Sequence, residues 1–105
     1  MRAYVVMLNL LVVALIPIQP AIAEKFSIYA YDKESNTLLQ NVYIRVWEGS
    51  SLLDSGITDK HGVFVTNLID GRKYRIRAEY YNEWDEINNT ANSINSNRIN
   101  LNLHK

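Results

Sequence analysis

From Tyr74 to Tyr80 the side chains alternate without a break, with Tyr74, Ile76, Ala78 and Tyr80 on one side and Arg75, Arg77 and Glu79 on the other. A period of two sends successive side chains to opposite faces of an extended strand, so this stretch can bury one face and wet the other. The same zigzag appears in Phe26, Ile28 and Ala30 against Ser27, Tyr29 and Tyr31, ending at Asp32. It returns in Val42, Ile44 and Val46 against Tyr43, Arg45 and Trp47, and in Ile99, Leu101 and Leu103 against Asn100 and Asn102. The 3.6-residue period of an amphipathic helix is nearly absent, which excludes a helical bundle.

The intervening segments punctuate these strands. Residues 32–37 (Asp-Lys-Glu-Ser-Asn-Thr) are all polar and read as a loop, and Glu48-Gly49-Ser50-Ser51 turns the chain into a short strand around Leu52 and Leu53. Gly56 to Gly62 reads as a tight connection, Val63 to Leu68 as a further strand, and Asp70-Gly71 as a hairpin-type turn. Trp84 to Ile87 adds one more short strand, and the Asn/Ser-rich residues 88–98 read as a long exposed loop. Seven short, alternately apolar strands separated by frequent turns predict an all-β protein, a seven-stranded antiparallel β-sandwich.

The first 23 residues have a different character. Arg2 precedes a stretch from Ala3 to Ile16 that is apolar apart from Asn9, and Pro17 and Pro20 break any helix before the small pair Ala21 and Ala23. That order of features is the pattern of a secretory signal peptide with cleavage after Ala23. A membrane anchor wants about 20 apolar residues, more than this segment offers. The expected organisation is therefore a signal peptide over 1–23 and one domain over 24–105, secreted or periplasmic, with no membrane span after cleavage.

Charge and cysteine usage narrow the classes further. The whole chain carries 11 Lys+Arg and 11 Asp+Glu. Without Arg2 the domain has 10 against 11, a net of −1. Such a domain has no global field to draw in nucleic acid or an anionic membrane surface. It has no cysteine, so packing alone must hold it together, where many small exported domains rely on disulfides.

Within residues 26–84 several motifs resemble the transthyretin-like (prealbumin-like) sandwiches, a group that includes the carboxypeptidase regulatory-like domains and the Cna B-type repeats of bacterial surface proteins. The matching residues are Tyr31-Asp32, then Leu38-Leu39-Gln40-Asn41-Val42 leading into Tyr43-Ile44-Arg45-Val46. Thr58-Asp59-Lys60-His61-Gly62-Val63-Phe64 and Leu68-Ile69-Asp70-Gly71-Arg72-Lys73-Tyr74-Arg75-Ile76 complete the pattern. The resemblance implies a Greek-key sandwich and places the Val42–Trp47 strand beside the Tyr74–Tyr80 strand; it says little about function. Physically, Thr58 and Asp59 are suited to bond their own turn, Gly62 to take a left-handed conformation, and Phe64 and Tyr74 to turn inward.

The chemistry known in that group does not carry over. The Cna B-type isopeptide lysine and its acid would fall on Ala30 and Ala78, although Lys25 and Asn100 lie in the first and last strands. The hydroxyisourate hydrolases of this fold end in Tyr-Arg-Gly-Ser and use two histidines with an arginine, whereas here the tail is Asn102-Leu103-His104-Lys105 and the histidines are His61 and His104. No catalytic constellation, metal site or cofactor is expected. Glu83, Asp85 and Glu86 lack the glycine turn of calcium loops, and the aromatic and acidic run from Tyr80 to Glu86 reads as core aromatics beside a solvated turn.

The feature that most suggests function is the solvent face shared by Tyr43, Arg45, Trp47, Arg75 and Arg77. Aromatic rings interleaved with guanidinium groups can bind carboxylates, sugars or an aromatic surface. The plain alternative is that such cross-strand pairs only stabilise an exposed sheet, by about 0.2–1 kcal/mol each. Asn88-Asn89-Thr90 is an N-glycosylation sequon at Asn88. The expectation is a non-catalytic module binding a protein or glycan partner at the cell envelope. A small-ligand carrier on a transthyretin-like oligomer is the alternative, and a hydrolase is disfavoured.

Overall fold

A computed structural model describes residues 22–92 and 97–104. Seven strands follow one another: β1 (Ala23–Asp32), β2 (Tyr43–Glu48), β3 (Ser51–Ile57), β4 (Val63–Ile69), β5 (Lys73–Tyr80), β6 (Glu83–Thr90) and β7 (Arg98–Leu103). They form two sheets, ordered β4-β1-β7 and β3-β2-β5-β6. The inward residues of both sheets meet in one core, where Phe26, Ile28, Ala30, Val42, Ile44, Val46, Leu68, Tyr74, Ile76, Ala78, Ile99, Leu101 and Leu103 are buried. The alternation in the sequence is thus the inside-outside pattern of a sandwich. The segment expected to be a signal peptide lies outside the described residues except for Ile22 and Ala23, and Ala23 pairs with Ile69 as the first residue of β1.

Four pairings are antiparallel, namely β1–β4, β2–β3, β2–β5 and β5–β6. The fifth, β1–β7, is parallel, with Ser27 opposite Arg98 and Asp32 opposite Leu103. This corrects the all-antiparallel expectation, and strand parity explains it. A chain that reverses at each connection points its odd-numbered strands one way and its even-numbered strands the other. Every other neighbouring pair joins an odd strand to an even one. Only β1 and β7 are both odd.

Two expected boundaries shift. β3 is a full strand of 7 residues rather than a short one around Leu52 and Leu53. Gly56 and Ile57 belong to it, so the connection to β4 is confined to residues 58–62. Residues 88–90, expected in a loop, belong to β6, with Thr90 opposite Lys73 and Asn88 opposite Arg75. Their polar side chains cost the strand little, because β6 is an edge whose ladder to β5 is made by backbone groups. Ala91, also expected in that loop, is buried, donating its N–H to Arg72 O at 3.0 Å and accepting from Gly71 N at 2.9 Å.

The two sheets are tied at both flanks. On one side Trp84 and His104 exchange both backbone hydrogen bonds, at 2.8 and 3.0 Å, and Asn102 N donates to Asp85 Oδ2 at 3.0 Å. On the other, Thr66 Oγ1 donates to Asp54 Oδ2 at 2.7 Å. Gly56 leaves room for the ring of Phe64 there, since a Cβ at that position would stand 2.5 Å from it. Phe64 itself is half-buried and packs against the core. Gly62 has φ +75°, and a Cβ would meet Leu38 Cβ at 2.7 Å, so this turn demands glycine on two counts.

Candidate functional site

The β2–β5 ladder sets the geometry of the outer face. Tyr43 stands opposite Glu79, Arg45 opposite Arg77 and Trp47 opposite Arg75. All five residues singled out in the sequence therefore share one surface, because outward positions on adjacent strands face the same way. Two guanidinium groups lie directly across from each other at its centre, an arrangement that destabilises a sheet unless something bridges it.

Glu79 is the bridge. Its Oε1 accepts from Arg77 Nε at 2.6 Å and also from Arg45 Nη2. The hydrogen bond from Arg77, with the charge of Arg45 beside it, holds the Glu79 carboxyl below its ordinary value. A second acid on β6 assists more loosely. Glu86 Oε1 lies 3.5 Å from Arg75 Nη1 and 3.8 Å from Arg77 Nη1. Arg45 Nε is buried with no hydrogen-bond partner among the described residues, a local cost of about 1–3 kcal/mol.

The aromatic rings cover the guanidinium groups. Arg45 lies 5.3 Å from the Tyr43 ring centroid and 5.1 Å from that of Trp47. Arg75 lies 4.2 Å from the same Trp47 ring. Stacking of this kind is favourable by about 0.5–1 kcal/mol at exposed sites.

Trp84, which the sequence reading put among core aromatics, belongs to this face. It is 40% exposed, stands opposite Glu79 on β6 and lies 4.8 Å from Arg77. Tyr81, in the turn between β5 and β6, is 92% exposed with φ +53°. The available signal was parity: once β6 pairs with β5, Trp84, Glu86 and Asn88 must all face outward. Asn88 is accordingly an exposed strand residue beside Arg75.

The remaining candidates are scattered. Lys25 and Asn100 are exposed residues of β1 and β7, while Ala30 and Ala78 are fully buried. His61 is exposed in the turn after β3, and the His104 ring packs 5.3 Å from that of Trp84. Among the described residues no group of three or more His, Cys, Asp or Glu side chains converges as a metal site. No helix among them is long and apolar enough to cross a membrane.

A second, smaller stack lies on the other sheet, where Arg98 sits 3.6 Å from the Tyr29 ring and bonds the Tyr31 hydroxyl. The β2–β5 face remains the larger assembly of charge and aromatic surface. Comparison with known proteins adds no relative to it: the chain matches no protein-family model and no curated protein.

Proposed function

We propose that this chain is an exported, non-catalytic module that binds a protein or glycan partner at the cell envelope through the outer face of the β3-β2-β5-β6 sheet. Tyr43, Arg45, Trp47, Arg75 and Arg77 are the contact residues, and Trp84 extends the surface. The observation that carries this reading is the convergence of five sequence-chosen residues on one face, with guanidinium groups stacked on rings and held at half exposure. The proposal includes a transthyretin-like, Greek-key sandwich and removal of a leader after Ala23. The adjacency of β2 and β5 supports the first part, since the resemblance in residues 26–84 implies that neighbour pair.

The test is the double variant Trp47→Ala with Arg75→Ala. Both side chains are on the solvent side, so thermal unfolding should stay close to that of the unaltered protein. Capture of the partner from envelope extract should be lost. Capture at the original level would rule this face out.

A further inference from the structure

We propose that the partner on this face is an extended, acidic segment of a protein, with carboxylates at alternate positions; the inference rests on the contact face proposed above. Lys73, Arg75 and Arg77 occupy successive outward positions of β5. Such positions repeat about every 6.8 Å along a strand. A bound extended peptide repeats its own side chains at the same interval on one side. Glu or Asp at every second residue therefore meets the three cations in register.

Charge complementarity supports an anionic occupant. The face carries Arg45, Lys73, Arg75 and Arg77 against Glu79 and Glu86, four cations to two anions, in a domain (24–105) with 10 basic and 11 acidic residues. A positive patch on a slightly negative body steers an acidic partner to this surface. The internal acids leave it unsaturated. Glu86 is shared between Arg75 and Arg77 at distances longer than a hydrogen bond. The side chain of Arg75 is 41% exposed, and exposed Lys73 has no ion pair among the described residues.

The geometry favours a carboxylate-bearing peptide over a glycan. Sugars bind aromatic platforms through their C–H faces, which needs an open ring. Trp47 has guanidinium groups at 4.2 and 5.1 Å. Trp84 has Arg77 at 4.8 Å and the His104 ring at 5.3 Å. The rings are occupied by cations, and a guanidinium is a donor shaped for carboxylates.

The experiment measures binding to the exported protein by calorimetry and by chemical-shift mapping, at low and at physiological salt. The probes are a short synthetic peptide of alternating Glu and Thr, its Gln-Thr counterpart, and an oligogalacturonate of equal charge. The Glu-Thr peptide should bind and shift the amides of β2 and β5, and the Gln-Thr peptide should not bind. Arg75→Gln should weaken binding roughly tenfold, the loss of one charge-assisted hydrogen bond. Lys73→Gln, which removes no ion pair among the described residues, should also weaken it, and Arg98→Gln on the opposite sheet should not.

No binding of the Glu-Thr peptide, unchanged affinity in both β5 variants, or preference for the oligogalacturonate would overturn the proposal. The two readings separate cleanly. If Trp47→Ala with Arg75→Ala loses the envelope partner while the Glu-Thr peptide fails to bind, the face stands and its acidic peptide falls. If the double variant keeps the partner, the face itself falls.

Discussion

Thr58 shows how much one hydroxyl can organise. It is buried, donates to Leu39 O at 2.7 Å and accepts from Val42 N at 3.0 Å. Its backbone exchanges two further hydrogen bonds with Asn41 and Val42. The entry to β2 is thus pinned to the exit of β3. Thr58→Val keeps the shape and removes the hydroxyl, leaving a buried N–H and a carbonyl unsatisfied. We expect a loss of about 2 kcal/mol, read as a lower urea midpoint at unchanged slope; a variant as stable as its parent would show that this hydroxyl does not carry the connection. The neighbouring Asp59 does what the sequence suggested, accepting from His61 N at 2.8 Å and Val63 N at 3.1 Å within its own turn. The destination of Thr58 was not legible, because its partners lie 16 and 19 residues away. Inward Tyr74 was legible from parity, but not that its hydroxyl would accept from Ile69 N at 2.9 Å.

At the scale of elements, β1, β2, β5 and β7 could be read from alternation because each buries one face fully. The edges of the four-stranded sheet, β3 and β6, could not. β3 exposes Leu52, Leu53 and Ile57, and its register against β2 shifts between Val46 and Trp47, so a bulge scrambles the pattern. β6 ends in Asn88, Asn89 and Thr90, residues typical of loops that are held here by the ladder to β5. The pairing of β2 with β5 also makes their outer face acid-sensitive. Since the folded state holds the Glu79 carboxyl below its ordinary 4.5, the unfolded chain binds more protons there. Its contribution is therefore fully present above pH 4.5 and lost as pH falls through the lowered native value. Glu79→Gln should flatten this acid limb and also reduce stability at neutral pH, where Arg45 and Arg77 would face each other unbridged. Denaturant midpoints followed from neutrality to below that value test it; an acid limb parallel to that of the unaltered protein would separate Glu79 from the effect. Asp59, lowered by backbone hydrogen bonds from Val63 and His61, acts in the same direction from its turn.

For the whole molecule, the two-layer architecture followed from the zigzag, and the site was legible to the extent that parity and the neighbour pair β2–β5 decide it. Which strands flank β1 was not, since alternation encodes a face and no partner. They are β4 and β7, and removal of β7 should be decisive. A chain lacking residues 98–105 loses Ile99, Leu101 and Leu103, all buried. Each large core side chain contributes about 2–5 kcal/mol, and together they rival the 5–15 kcal/mol that typically holds a domain folded. Such a truncation should show no cooperative unfolding transition in circular dichroism, and a sharp transition would mean that six strands suffice.

The parallel β1–β7 pair also bears on how the protein folds. A polypeptide emerging N-terminus first from a ribosome presents β1 well before the tail that zips onto it. One flank of β1 therefore stays open until residues 98–103 arrive, and the three-stranded layer is complete only then. Ser27 meets Arg98 across most of the described chain, and contacts of such long separation close slowly.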